Sequence, residues 1–508
     1  MSAQPIRVLS PATGAEVASV PDEGRDGVAA AVARARSAGP GWAALSYERR
    51  FAALRRFRDA VLDASETVVD TLVAESGKPR HEAEGIELLY LCELIRFMGR
   101  AAPRALKEET RRPFLFATKS TRLVRRPLGV VGVIGPWNFP ILNNAGDAIA
   151  PLMAGNAVVL KPSEVTPLTS VLLARLWREA GNSPAVFQVV TGRGEAGAAL
   201  VDTADGIMFT GSVATGRRVA ARAGERLVPC VTELGGKSPL IVLAGADLPR
   251  AARAAAWSSF IHSGQVCIRT ERIFVEEPVA DEFQALLARR VTELVQRAPG
   301  DGPTHDLGAV TFPHQLEIVE RQIADAVEKG ARVATGGDRV AGPGNFFRPT
   351  VLSGARPEMA VMREETFGPL VPVMRVKDAE EAVRLANESR FGLNASVFGP
   401  EAAARSVARR LESGNVIVND VLVNYFVVEA PFGGWKESGL GARHGAEALR
   451  QWTRTTAITL PRRGLGLVDR FVASRLAFPY DPRVRGALQR AMRFLYGTGL
   501  ARKLGRRP

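Results

Sequence analysis

The stretch SGQVCIRTERIFV, residues 263–275, holds Cys267, one of three cysteines in 508 residues. A thiolate is a strong nucleophile, whereas a protonated, enclosed thiol is only a small core hydrophobe, so its partners decide what it does. Cys92 in LYLCELIRF and Cys230 in RLVPCVTEL compete for the same role. Three other segments carry groups that suit a thiol's chemistry. GPWNFP (135–140) presents Asn138, whose amide could stabilise an oxyanion or simply satisfy a turn. ELGGKSP (233–239) sets Glu233 beside two glycines, where a carboxylate could activate water or stand as a solvated loop charge. KPSE (161–164) carries Lys161 and Glu164 past the end of an apolar run.

Two glycine-rich segments suit a phosphate. FTGSVATG (209–216) reads as a strand, then Gly211 and Ser212, then a helix start. Its free amides fit an anion, although Ser212 also fits an ordinary N-cap. GRGEAG, with Gly192, Gly194 and Gly197, follows the VFQVV run and matches a dinucleotide fingerprint. With 49 glycines in the chain such a match arises easily by chance, and no acidic residue closes a second strand at the usual distance.

These segments need elements to hold them. From about residue 127 onward, short β-branched runs alternate with helical periods. GVVGVIG (129–135), NAVVLK (156–161), VFQVV (186–190), GIMFTG (206–211) and SPLIVL (238–243) predict strands. Residues 170–181 and 213–224 predict helices between them. Continuous apolar strands separated by helices predict parallel sheets covered on both faces. The pattern recurs with RIFVEE, ARVATGG, VPVMRV and NVIVND, separated by helical segments around 279–296, 314–329 and 379–388. The fold class expected is therefore α/β, with two doubly wound parallel-sheet domains and a cleft between them. The first hundred or so residues read mostly helical.

Composition narrows the function classes. Three cysteines cannot build a disulfide framework, and the start lacks a basic region followed by an apolar one. A reduced, cytoplasmic protein without a secretory signal is expected. The uncharged run 128–146 is broken by Pro136 and Pro140, which argues against a membrane span. The net charge of +14 is concentrated: residues 462–508 hold twelve Arg and Lys against Asp469 and Asp481. The remaining body is nearly balanced and calls for no nucleic acid. Within that tail, residues 481–497 place Val484, Leu488, Ala491 and Leu495 at helical spacing, with Arg483, Arg485, Arg490 and Arg493 largely elsewhere. Such a segment fits an anionic membrane surface, but an arm packed on the body or a neighbouring subunit is the preferred expectation.

Taken together, GPWNFP, KPSE, FTGSVATG, ELGGKSP, SGQVC, EETFGP (364–369) and PFGGWKESGLG (431–441), in this order, resemble the aldehyde dehydrogenase superfamily over roughly residues 8–460. The resemblance implies Cys267 as nucleophile, Asn138 and the Cys267 amide as oxyanion donors, and Glu233 as the base for thioester hydrolysis. CoA-acylating relatives generally lack that glutamate, so hydrolysis is expected over transfer to CoA. A non-catalytic relative is disfavoured because all three residues are present. For the cofactor it implies Ile134, Trp137, Lys161, Glu164, Gly194, Gly211, Ser212, Gly216, Leu234, Glu365 and Phe367. A carboxylate at Glu164 would repel a 2′-phosphate, so NAD is favoured, with NADP left open. No metal is implied.

For the substrate, Asn143, Gly146 and Asp147 are expected to face the tunnel. Many semialdehyde dehydrogenases carry an arginine near the position of Gly146, and it is absent here. Arg269 could replace it, or merely pair within its loop. CIRTER and NDVLVNYFVVEAPFGG are similar to some bacterial succinate-semialdehyde enzymes. The implied domains are 1–110 with 128–234 for the dinucleotide, 235–430 for catalysis, 111–127 with 431–461 as a small β oligomerisation element, and 462–508 as a basic extension. A homodimer or homotetramer is implied.

Overall fold

A computed structural model describes residues 4–298, 305–478 and 482–498. The larger of two compact units comprises residues 1–106 and 127–453. It holds two main sheets. In the first, Val130–Ile134, Ala157–Lys161, Phe187–Val189, Gly206–Thr210 and Cys230–Glu233 run parallel, and Gly439–Leu440 closes one edge antiparallel. Val130–Ile134 lies at its middle and every residue of it is buried, as a strand covered on both faces requires.

The second sheet has seven strands. Pro239–Val242, Arg272–Glu276, Thr350–Ser353, Leu370–Val376, Asn394–Phe398 and Asn415–Val418 run parallel, and Arg332–Thr335 joins one edge antiparallel. Asn394–Phe398, wholly buried beside Pro239–Val242, is a strand the sequence reading passed over. Its short NASVF run lacks the apolar continuity of its neighbours. A hairpin of Ile6–Leu9 and Glu16–Val20 likewise precedes the helices Gly24–Ala43 and Tyr47–Asp63.

The chain passes directly from the Cys230–Glu233 strand of the first sheet into the Pro239–Val242 strand of the second. Carboxyl ends of the first sheet's strands therefore adjoin amino ends of the second's. The smaller unit contains residues 107–126 and everything from Arg454 onward. Its sheet pairs Lys119–Pro127 with Glu109–Arg111 on one side and Thr453–Pro461 on the other. Residues 431–452, grouped with that sheet from sequence, belong instead to the larger unit, where Gly439 pairs with Glu233. Among the described residues no helix is long and apolar enough to cross a membrane.

Candidate active site

A cleft of about 870 Å³ is lined from both sheets. Loops after carboxyl ends contribute Gly135–Asn138, Glu164, and Gly211 with Ser212, and Lys161 ends its own strand beside them. Glu233 ends its strand there, and Cys267, Glu365 and Phe367 come from loops before second-sheet strands. Asn138, Glu233 and Cys267 thus meet in one cavity although they are far apart in sequence.

The Cys267 loop is held in a costly conformation. His262, Ser263 and Gly264 have φ of 49°, 52° and 77°, a left-handed run that L side chains rarely adopt. Gly264 is required twice over, because a Cβ there would lie 2.2 Å from the Gly368 carbonyl oxygen of the EETFGP loop. Gly236 presses from another side; its Cβ would stand 2.5 Å from the Cys267 carbonyl oxygen. The His262 N–H donates to Glu82 over 3.0 Å, and the Ser263 hydroxyl donates to the Gly308 carbonyl over 2.7 Å.

Exposure does not distinguish the three cysteines, since each is partly buried. Surroundings do. Burial pushes the Cys267 thiol up to about 12, while Arg443 and the residue's own main-chain N–H act in the opposite direction. The resting thiol is therefore neutral and needs a base. Glu233 is buried at 4% exposure, and its Oε1 has no hydrogen-bond partner. Burial raises it to about 8, so near neutrality it exchanges protons readily. Asn138 Nδ2 donates to the Gln265 carbonyl over 2.8 Å. A primary amide has two N–H groups, so a second donor remains for an oxyanion beside the thiol.

Buried charge positions that amide. Lys78 Nζ donates to the Asn138 carbonyl over 2.9 Å, sits 4.1 Å from the Phe139 ring centroid and pairs with Glu87. Glu87 in turn accepts from the Ile141 and Leu142 N–H groups at 2.7 and 3.2 Å. Sequence reasoning missed both residues, because KPRHEAEGIEL looks like a solvated charged helix. Arg443 was missed too. It donates to Asn143, to the Tyr425 and Thr210 hydroxyls at 2.7 Å each, and lies 3.5 Å from Asp147. Nothing in GARHG distinguishes it from surface basicity.

Of the residues expected to hold a cofactor, Ile134, Trp137, Lys161, Glu164, Gly194, Gly211, Ser212, Leu234, Glu365 and Phe367 line the cleft. Helices Gly194–Thr203 and Val213–Glu225 begin at it, with Ser212 accepting from the Thr215 N–H as N-cap. A Cβ at Gly194 would meet nothing within 4 Å, so open space lies over that helix start, as a bound pyrophosphate needs. Lys161 Nζ reaches Glu164 at 3.1 Å. Glu365 accepts from the Gly236 N–H at 2.8 Å, and the Phe367 ring meets Trp137 edge to face at 5.4 Å. These residues fit a dinucleotide.

Four positions depart from expectation. Gly216 does not line the cleft; a Cβ there would run into Leu234 at 2.3 Å, so it serves helix packing. Gly146 and Asp147 face a separate small void with Tyr90 and Arg443 instead of the tunnel. Arg269 is fully buried, donates to the Ser259, Thr270 and Leu370 carbonyls, and pairs with Glu271 at 2.6 Å. Glu271 accepts from the Thr366 and Phe367 N–H groups, each at 3.1 Å. Arg269 therefore braces the EETFGP loop instead of reading a substrate.

On its other side Cys267 borders a chamber of about 50 Å³. Phe139, Leu142, Trp257, Ile268, Leu422 and Phe426 supply most of its wall, Asn143 and Tyr425 its polar atoms, and among the described residues no Lys, Arg or His lines it. Asn143 and Cys267 are shared between chamber and cleft.

Comparison with known proteins agrees with this architecture. The profile of the "Aldehyde dehydrogenase family" matches residues 1–458. A Mycolicibacterium smegmatis protein named "Putative succinate-semialdehyde dehydrogenase [NADP(+)]" is 40% identical over 455 residues, covering 89% of this chain and 87% of that protein. A Methylomonas protein named "4,4'-diapolycopene aldehyde oxidase" is 37% identical, covering 92% of this chain and 86% of that one. The solved Mycobacterium tuberculosis aldehyde dehydrogenase complexed with NAD+ superposes with a TM-score of 0.86 at 33% identity, covering 90% of this chain and 95% of that one. With the two sheets, the cleft and its thiol already in place, these similarities make the chain a member of the aldehyde dehydrogenase family, an enzyme that oxidises aldehydes to acids with NAD(P).

Proposed function

We propose that the enzyme oxidises uncharged, apolar aldehydes by covalent catalysis at Cys267 followed by hydrolysis. Glu233 takes the thiol proton as sulfur bonds to the aldehyde carbon. The resulting oxyanion accepts from the Asn138 side-chain amide and the Cys267 N–H. Bound NAD(P) supplies the hydride acceptor. Collapse of the oxyanion with loss of hydride leaves a thioester on Cys267. Glu233, once it has released the thiol proton to solvent, removes a proton from water, whose oxygen attacks the thioester; the thiolate leaves, takes that proton back from Glu233, and the acid departs.

The observation that carries the substrate assignment is the chamber wall, apolar and without a cation. A distal carboxylate placed there would lose its hydration without gaining a cationic partner. Succinate semialdehyde is the second reading, favoured by the name of the Mycolicibacterium relative. With Arg269 committed to Glu271, nothing in the chamber would hold its carboxylate. For the cofactor, Glu164 at the cleft supports NAD over NADP. The test is kcat/KM for aliphatic and aromatic aldehydes against succinate semialdehyde, with both cofactors. Medium-length uncharged aldehydes are expected to lead by roughly 10²-fold, the scale set by leaving a buried charge unpaired. A lead for succinate semialdehyde would sink the assignment.

A further inference from the structure

We propose that the C-terminal extension is an interfacial arm that seats the enzyme on an anionic lipid surface. The arm contains two described helices, Gly466–Leu476 and Pro482–Tyr496. On one side of the first, Asp469, 7% exposed, accepts from the Thr118 hydroxyl and from Lys119 Nζ, each at 2.8 Å. The other side carries Leu467 and Phe471, one helical turn apart and 83% and 61% exposed. The Arg475 guanidinium lies 5.2 Å from the Phe471 ring centroid.

The second helix repeats the design. Leu488, Met492 and Leu495 follow i, i+4, i+7 spacing, and all three side chains are exposed, Met492 at 55%. Phe494 and Tyr496 are exposed as well. Arg490 and Arg493 stand off the stripe, Arg485 lies one turn before Leu488 at its amino-terminal end, and no Asp or Glu occurs from residue 482 to 508. A soluble helix with this much exposed apolar surface calls for a covering partner.

Charge selects that partner. The segment 462–508 carries twelve basic residues against two acidic ones. A second copy of the arm would bring the same arginines into like-charge contact. Anionic lipid answers both halves of the pattern: acyl chains take Leu488, Met492 and Leu495, and phosphates take the flanking arginines. Fifteen residues of helix are too short to span a bilayer, so the arm lies in the interface plane.

The test is co-sedimentation of the full chain with phosphatidylcholine vesicles, with and without phosphatidylglycerol, at low and high salt. Binding is expected only with phosphatidylglycerol and should fall with salt; replacing Arg490 and Arg493 by Gln should weaken it roughly fivefold per arginine. The Leu488→Asp, Met492→Asp double variant should lose binding while keeping its turnover in solution and its mass by light scattering. Equal binding to phosphatidylcholine alone, no binding to either vesicle, or undiminished binding by the double variant overturns the proposal. A change of mass in that variant overturns it too, and assigns the stripe to a second copy.

Discussion

The cleft and the chamber share Cys267 and Asn143, yet one is walled by glycines, carboxylates and helix starts and the other by aromatic and aliphatic side chains. The cleft fits a large polar cofactor. The chamber wall is apolar, and burial, with Glu233 and Glu365 adding to it, raises the thiol to about 12 and keeps it neutral. One sulfur atom thus stands at the boundary of two environments. Glu233 stands on the polar side, and in the proposed reading the apolar side selects what approaches. The buried ions around the site, Lys78 with Glu87 and Arg269 with Glu271, touch main-chain groups and so fix loop geometry.

The harshest way to break this comparison is to remove the shared atom. Cys267→Ala should lower turnover on the order of 10⁴-fold or more, whereas Cys92→Ala and Cys230→Ala should stay near the parent value in the same assay. Next comes the polar side alone. Glu233→Gln should reduce steady-state turnover by about 10²- to 10⁴-fold while a pre-steady-state burst of NADH persists. Because burial raises Glu233 to about 8, it is protonated below that pH and ionised above it. Parent turnover should therefore climb between about pH 7 and 9, and the Gln variant should lack that limb. A parent profile flat across this range would remove Glu233 from the hydrolytic step.

The apolar side can be rewritten in turn. Leu422→Arg places a cation in the chamber wall and should shift kcat/KM toward carboxylated aldehydes by roughly 10- to 100-fold relative to uncharged ones. No change in that ratio would mean substrates avoid this chamber. The smallest effect is expected at the far end of the cleft. Glu164→Gln should raise the NADP to NAD ratio of kcat/KM by roughly three- to tenfold, since it removes a negative charge facing a 2′-phosphate.

How much was legible depended on whether a residue's role is local. Strands such as Val130–Ile134 and Ala157–Lys161 announce themselves through unbroken β-branched runs. NASVF, with Asn394 and Ser396 in it, did not, because its burial comes from neighbouring strands. Motif glycines and the PWN, KPSE and FTGS segments were readable, since the backbone requirement they meet lies within a few residues. Gly216 misled for the same reason: it belongs to a glycine-rich motif but answers to Leu234.

By itself the sequence determined the α/β alternation, the order of the motifs and the concentration of positive charge after residue 461, and it offered Cys267, Glu233 and Asn138 as candidates that line one cleft. Only the tertiary structure decided where the charges point. Arg269 and Arg443 are both arginines in short polar segments, yet one braces a loop and the other ties Asn143 to the Tyr425 and Thr210 hydroxyls. The physical reason is that a charge's role depends on its burial and its partners. For these arginines the partners, Leu370 for one and Thr210 with Asn143 for the other, come from segments remote in the chain.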